Sequence, residues 1–434
     1  MEQVDVAIVG AGLAGLTAAA TVAGNGRSVV VLDGQQPGGR ARTDVVRGFR
    51  FNRGAHALYA DGVGNAVLER LGARVPGVMP PLKGALGRRG DHIGILPTGP
   101  ASLAKSDLVS RRGKVRLAKL LGTARWWKPE TLADRSISDW YDELGLDGDE
   151  RDIVAMLTRT ATYIADHDVA SADVAAGQMQ LALGDGVRYL HGGWTTLVDR
   201  LTEVATAGGA ALRAGAAVTS VVPDGGGARV QAADGTDLVA TQVVVAGGPP
   251  GACASLLPDA PLAWTDAGPE VAAACLDLGF DHVPDVTVVL GVDMPIYLIR
   301  HAPPADLAPP GGSVVHAMRY LLSDEQPSAA DARGSLAAYA KVGGADPDEA
   351  VEQRYLHRMV VTGVTPTPER GGLAGRPGIS SAGLPGVLVA GDWVGPVGHL
   401  ADAALASGEA AGRAALAALD HAPVTIPLGT RARR

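Results

Sequence analysis

The stretch from Val6 to Gly26, VAIVGAGLAGLTAAATVAGNG, carries no charge and is long enough to cross a bilayer. Two features argue against that use. Glycine stands at 10, 12, 15, 24 and 26, and the chain opens MEQVD, acidic where an export signal needs a basic start. Read with the two residues before it, VDVAIVG is a short β-branched run ending at glycine, the pattern of a buried parallel strand. Gly10, Gly12 and Gly15 then follow in the spacing G-x-G-x-x-G. LTAAATVAGNG predicts a helix that stops at glycine, and RSVVVLD predicts a second strand ending in Asp33. Strand, glycine turn, helix, strand and acid together predict a dinucleotide site. Gly10 allows the tight turn, Gly12 lets the backbone approach a diphosphate, and Gly15 lets helix and strand pack closely. Asp33 is placed to accept hydrogen bonds from ribose hydroxyls.

Composition narrows the partners. The formal charge is −8, with 38 basic against 46 acidic side chains, which argues against nucleic acid as a main partner and gives no general attraction to anionic lipid. The basic ending TRARR reads as a solvated terminus. Cys253 and Cys275 have no metal-type spacing and read as buried thiols in a reducing compartment, so the expected location is cytoplasmic, with no transmembrane segment and no metal. Oligomeric state is not legible.

The nicotinamide and flavin versions of the unit diverge after Asp33. LDGQQPGGRARTD carries Gly38, Gly39, Arg40 and Arg42; FRFNRGAHALYADG follows with Gly54, Ala55 and His56; GLPGVLVAGDWVGPVGHLADAALASGEAAGRAAL stands near the C-terminus. In this ordered set the chain resembles the FAD-dependent amine oxidase and phytoene desaturase superfamily. The resemblance implies an α/β fold: a discontinuous Rossmann-like FAD-binding domain of the glutathione-reductase-like type, plus a mixed sheet and helical substrate domain. The expected boundaries are 1–85, 190–265 and 370–434 for FAD, and 86–189 with 266–369 for substrate. It further implies that Arg40, with Arg42 as a second candidate, lies against the diphosphate. Asp392 after Gly391 would lie beside the ribityl chain or phosphate, and the helix from His399 and Leu400 would begin near the flavin ring. HGGWTTLVDRLTEVATAGGAALRAGAAVTSVV matches the family's middle segment, with Val218 where the backbone meets the adenine. The expected FAD contacts are thus Gly10, Gly12, Leu13, Ala14, Gly15, Asp33, Gly39, Arg40, Arg42, Gly54, Ala55, His56, Val218, Gly391, Asp392, His399 and Leu400. No cysteine occurs in the last helix, so FAD is expected to be non-covalent.

Ser102 to Tyr189 reads as helical, and Val271 to Val364 mixes strands with loops rich in proline and glycine. The resemblance implies that hydride, or its equivalent, leaves a substrate C–H bond for flavin N5, giving C=C or C=N, with oxygen or another acceptor taking the electrons onward. His56, His399 and Tyr163 are the candidate assisting side chains, each also readable as packing. Tyr297, His301, His316 and Tyr320 lie on strands expected beside the cleft. VAAACLDLGFD lacks the lysine usual in amine oxidases, the downstream acid is Asp392 rather than glutamate, and aromatics are 4% of the chain. Desaturation of a small or medium apolar substrate is therefore slightly favoured over amine oxidation. A binding module like the GDP-dissociation inhibitors and a nicotinamide dehydrogenase are the remaining alternatives.

Overall fold

The computed structural model describes residues 1–421; the TRARR ending lies outside them. Fourteen strands build the two large sheets: β1 (Glu2–Val9), β2 (Val29–Asp33), β3 (Leu86–Arg89), β4 (His92–Ile95), β5 (Ala211–Ala214), β6 (Val218–Asp224), β7 (Gly227–Ala232), β8 (Asp237–Val245), β9 (Val271–Phe280), β10 (Val288–Gly291), β11 (Ile296–Ala302), β12 (Ser313–Leu321), β13 (Glu352–Thr362) and β14 (Val387–Val389). Six helices matter below: α1 (Leu13–Val22), α2 (Arg111–Thr123), α3 (Gly148–Thr162), α4 (Ala172–Leu183), α5 (Thr195–Ala207) and α6 (Leu400–His421).

The first sheet runs β5-β2-β1-β8-β7-β6, with β14 also on β8. Its centre is parallel: β1 pairs with β2 and β8, and β8 with β14. Such strands are covered on both faces, which is why VAIV and VVVL read as unbroken apolar runs. A hairpin turn at Asp234-Gly235 joins antiparallel β7 and β8, with Gly235 at φ +91°. Helix α1 packs between this sheet and α6. A Cβ on Gly408 would lie 2.3 Å from the Ala14 carbonyl oxygen, so glycine is what lets the two helices touch.

The second sheet runs β13-β9-β12-β11-β10-β3-β4 and is mainly antiparallel. Every residue of β9 is buried. Its alternate side chains serve two cores: Ala274, Leu276 and Leu278 pack with Leu336 and Tyr339 on one face, and Ala273 and Cys275 with the helical segment of Ile153 and Tyr141 on the other. Among the described residues no helix is long and apolar enough to cross a membrane.

Candidate active site

The cavity lies where the start of α1, the turn at Gly54–His56, the end of β13 and the start of α6 converge; its empty space, including the part open to solvent, is about 1060 Å³.

The glycine turn sets its floor. Gly10 has φ +100°, and a Cβ there would meet the Ala246 carbonyl oxygen at 2.4 Å; one on Gly15 would meet the Gly10 carbonyl oxygen at 1.9 Å. Both glycines are demanded by packing. Gly12 is different: a Cβ would meet no protein atom within 4 Å. The fold leaves that space beside the first turn of α1, where Leu13 and Ala14 line the cavity. Unpaired amides at a helix start favour a negative group.

Arg40 and Asp392 span the cavity as a bidentate pair, with nitrogen–oxygen distances of 2.8 and 2.9 Å. The Gly363 amide donates to the same carboxylate at 3.0 Å. Burial opposes ionisation of Asp392, but Arg40 outweighs it and holds the carboxyl down at about 2. Asp392 is 4% exposed, whereas Arg40 is 43% exposed because its outer face looks into the cavity. Buried Arg376 donates to the carbonyls of Asp392, Val397 and Gly398, fastening the loop that leads into α6.

His56 and His399 stand on the wall. His56 Nδ1 donates to the Gly54 carbonyl at 2.8 Å, and its ring meets Trp194 edge-on at 4.9 Å. His399 Nε2 donates to the Thr162 carbonyl at 3.0 Å, leaving Nδ1 buried and without a partner. Burial pushes both imidazoles down to about 4, so both are neutral at pH 7. Tyr163 ends α3 at φ +64° and donates its hydroxyl to the Ala55 carbonyl at 2.7 Å, which places its ring in the lining.

Of the residues singled out by sequence, Leu13, Ala14, Arg40, Gly54, Ala55, His56, Tyr163, Gly391, Asp392, His399 and Leu400 line this one cavity. Asp33 and Val218 lie beyond it. The Asp33 carboxylate accepts from the Ala11 amide at 2.7 Å and the Gln35 amide at 2.8 Å. Its neighbour Gly34 abuts Ala217, where a Cβ would stand 2.9 Å from the alanine's, so β2 and the start of β6 meet. Gly39 lies in the short turn Gly39–Ala41 at φ +53°. Arg42 is outside the lining, with its guanidinium 3.5 Å from Gln35. Tyr297, His301, His316 and Tyr320 are buried in the second sheet and do not reach the cavity. His316 is instead held by Asp277 at 2.6 Å, which Arg354 also binds.

Sequence reasoning missed Asp402, Tyr59, Trp194 and Met359, all in the lining. Scarcity of aromatics in the chain does not extend to the wall, where Tyr59, Tyr163 and Trp194 gather. Asp402, in the first turn of α6, accepts from the Gly64 amide at 3.0 Å, and its other oxygen has no partner. Burial pushes its carboxyl up to about 6, against the lowering effect of that amide. The one sequence signal was a lone acid in an Ala-rich helix start. The open space at Gly12, the cation over the floor and two unpartnered buried polar atoms suit a dinucleotide carrying a polar ring.

The profile of the family described as "Flavin containing amine oxidoreductase" matches residues 13–416. Solved structures similar to this chain include an oxidoreductase from Methanosarcina mazei, 20% identical, with a TM-score of 0.73 over 94% of this chain and 99% of that one. Wild-type putrescine oxidase bound to putrescine is 18% identical, with a TM-score of 0.71 over 96% and 99%. A protein provisionally described as a protoporphyrinogen oxidase, from Exiguobacterium sp. 255-15, is 18% identical, with a TM-score of 0.70 over 96% and 99%. No curated protein matches the chain.

Proposed function

The chain belongs to the family of flavin-containing amine oxidoreductases and is an FAD-dependent oxidoreductase, and on that footing we propose that it oxidises a C–H bond of a small or medium, largely apolar molecule, forming C=C in preference to C=N. Family membership sets aside the inhibitor-like and nicotinamide alternatives. When bound, FAD supplies the two-electron acceptor. The segments 1–85, 190–265 and 370–434 hold it without a covalent link: Asp33 and Val218 toward the adenosine, Gly12, the amides of α1 and Arg40 along the diphosphate, Asp392 beside the ribityl chain or phosphate. Segments 86–189 and 266–369 bring the substrate.

The first turn of α6 presents amides and the positive end of a helix dipole toward the ring, an arrangement that stabilises negative charge there. His56 and His399 serve as neutral hydrogen-bonding groups. Tyr163, anchored on Ala55, shapes the substrate side.

One observation carries the preference for an apolar substrate: apart from Asp402, the charges of the wall are already balanced. Asp392 is taken by Arg40, Arg53 lies 3.6 Å from Asp44, and both imidazoles are held neutral. A cationic amine gains little from these paired or neutral groups. Amine oxidation stays as the second reading because Asp402 keeps one free oxygen. Anaerobic mixing with a panel of amines and saturated hydrocarbon-chain lipids separates the two. Bleaching of the visible flavin band by lipids alone supports desaturation. Bleaching by amines alone, abolished in Asp402→Asn, replaces it with the second reading.

A further inference from the structure

Residues Arg111–Lys128 hold seven basic side chains and no acidic one, in a chain whose acids outnumber its bases. Ser110 caps α2 by accepting from the Gly113 amide, and Gly113, Leu117 and Leu120 face inward. The outward face is unusual. Val115, Ala118, Gly122 and Trp126, spaced three or four apart, form an exposed apolar ridge; Val115 is 71% exposed and Trp126 is 61% exposed.

Cations fringe that ridge. Arg116 is spent on Asp147 and Glu150, and Lys114 donates to the Ala104 carbonyl. Arg111, Arg112, Lys119, Arg125 and Lys128 have no acidic side chain within salt-bridge distance among the described residues. Arg125 lies over the Trp126 ring, 3.9 Å from its centroid. The apolar surface continues onto neighbouring segments. Gln180 of α4 donates to the carbonyls of Ala124 and Trp127, and α4 ends at exposed Leu183. Just beyond, the exposed Met79 side chain lies beside Gly186. Exposed acids in the neighbouring segments include Glu130, Asp147 and Asp185, of which Asp147 is paired with Arg116.

We propose that this face docks on an anionic lipid bilayer, with Val115 and Trp126 in the headgroup boundary and the five free cations on lipid phosphates. An apolar strip bordered by long cationic side chains and a tryptophan is the pattern of an interfacial helix, whose stems snorkel while their charges reach the headgroups. Nucleic acid fits less well, because contact with a phosphate backbone makes no use of Val115, Ala118 and Gly122. The inference stands on this surface alone and not on the substrate assigned to the cavity.

The test is sedimentation of the FAD-loaded protein with vesicles of mixed phosphatidylcholine and phosphatidylserine, or of phosphatidylcholine alone, while tryptophan emission is followed. Binding to the mixed vesicles only, with a blue shift and release by high salt, is the expected result. The triple variant Arg111→Glu, Lys119→Glu, Arg125→Glu should bind at least about tenfold more weakly, and Trp126→Ser should lose the blue shift, both with flavin content intact. No sedimentation with the mixed vesicles, equal binding to the uncharged ones, or capture by duplex DNA without vesicle binding overturns the proposal.

Discussion

Two glycines three residues apart should fail in opposite ways. Gly15→Ala places a methyl 1.9 Å from the Gly10 carbonyl oxygen, more than 1 Å inside the closest approach real Cβ atoms make. Overpacking of a rigid neighbour costs about 1–3 kcal/mol and more where backbone must move. The gain in helix propensity returns roughly 1 kcal/mol. The atom met is backbone, so the upper end of that range applies, and a net loss of about 2 kcal/mol or more in the stability of the FAD-free protein is expected. Gly12 has φ −78° and ψ −176°, open to any L-residue, with no protein atom near its would-be Cβ. Gly12→Ala should therefore change FAD-free stability by less than about 1 kcal/mol. If the diphosphate passes over this amide, the same methyl overpacks the cofactor by about 1–3 kcal/mol, so FAD binds roughly 5- to 150-fold more weakly. Denaturant unfolding of both FAD-free variants, and titration by quenching of FAD fluorescence, measure the two quantities separately. Wild-type FAD affinity in Gly12→Ala would refute the assigned path of the diphosphate. Wild-type stability in Gly15→Ala would refute the packing argument.

Two further outcomes concern charge. Asp392→Asn keeps an oxygen for the Gly363 amide but removes the anion facing Arg40. The carboxyl at about 2 against an ordinary 3.8 corresponds to roughly 2 kcal/mol, and the 43% exposure of Arg40 reduces it to about 1–2 kcal/mol. A depressed folded pKa stabilises above the unfolded value and is lost as pH falls toward 2, so urea midpoints of wild type and variant should converge in acid. His399 gives an acid-side loss of a different kind. Its folded value of about 4 lies below the ordinary 6.5, so the unfolded chain binds the proton first as pH falls. Native stability should drop by about 2 kcal/mol between pH 7 and pH 5 on account of this side chain. His399→Gln should flatten that part of the profile in denaturant titrations.

What the sequence made legible was whatever depends on neighbours in the chain. The glycine turn and Asp33 show through because turn, helix and strand each leave their own period within about thirty residues. The alternation within VAAACLDLGF was harder, since a strand covered on both faces loses its polar side and looks uniformly apolar. Asp402 and Arg376 stayed hidden for another reason. The first matters through Gly64 and the second through the carbonyls before α6, contacts that only the closed fold creates. The cationic face of α2 was masked by arithmetic: a net charge of −8 averages away a cluster confined to one helix.

The contact between α1 and α6 joins two segments remote in sequence, and with it Gly12 to Asp392 and Asp402. At roughly 5–20 residues per second, about 20–80 seconds of synthesis separate these pieces. Throughout that interval the nascent N-terminal layer presents an uncovered helix and half of the cavity wall. Translation must run on from the glycine turn to α6 before this enzyme can acquire its colour.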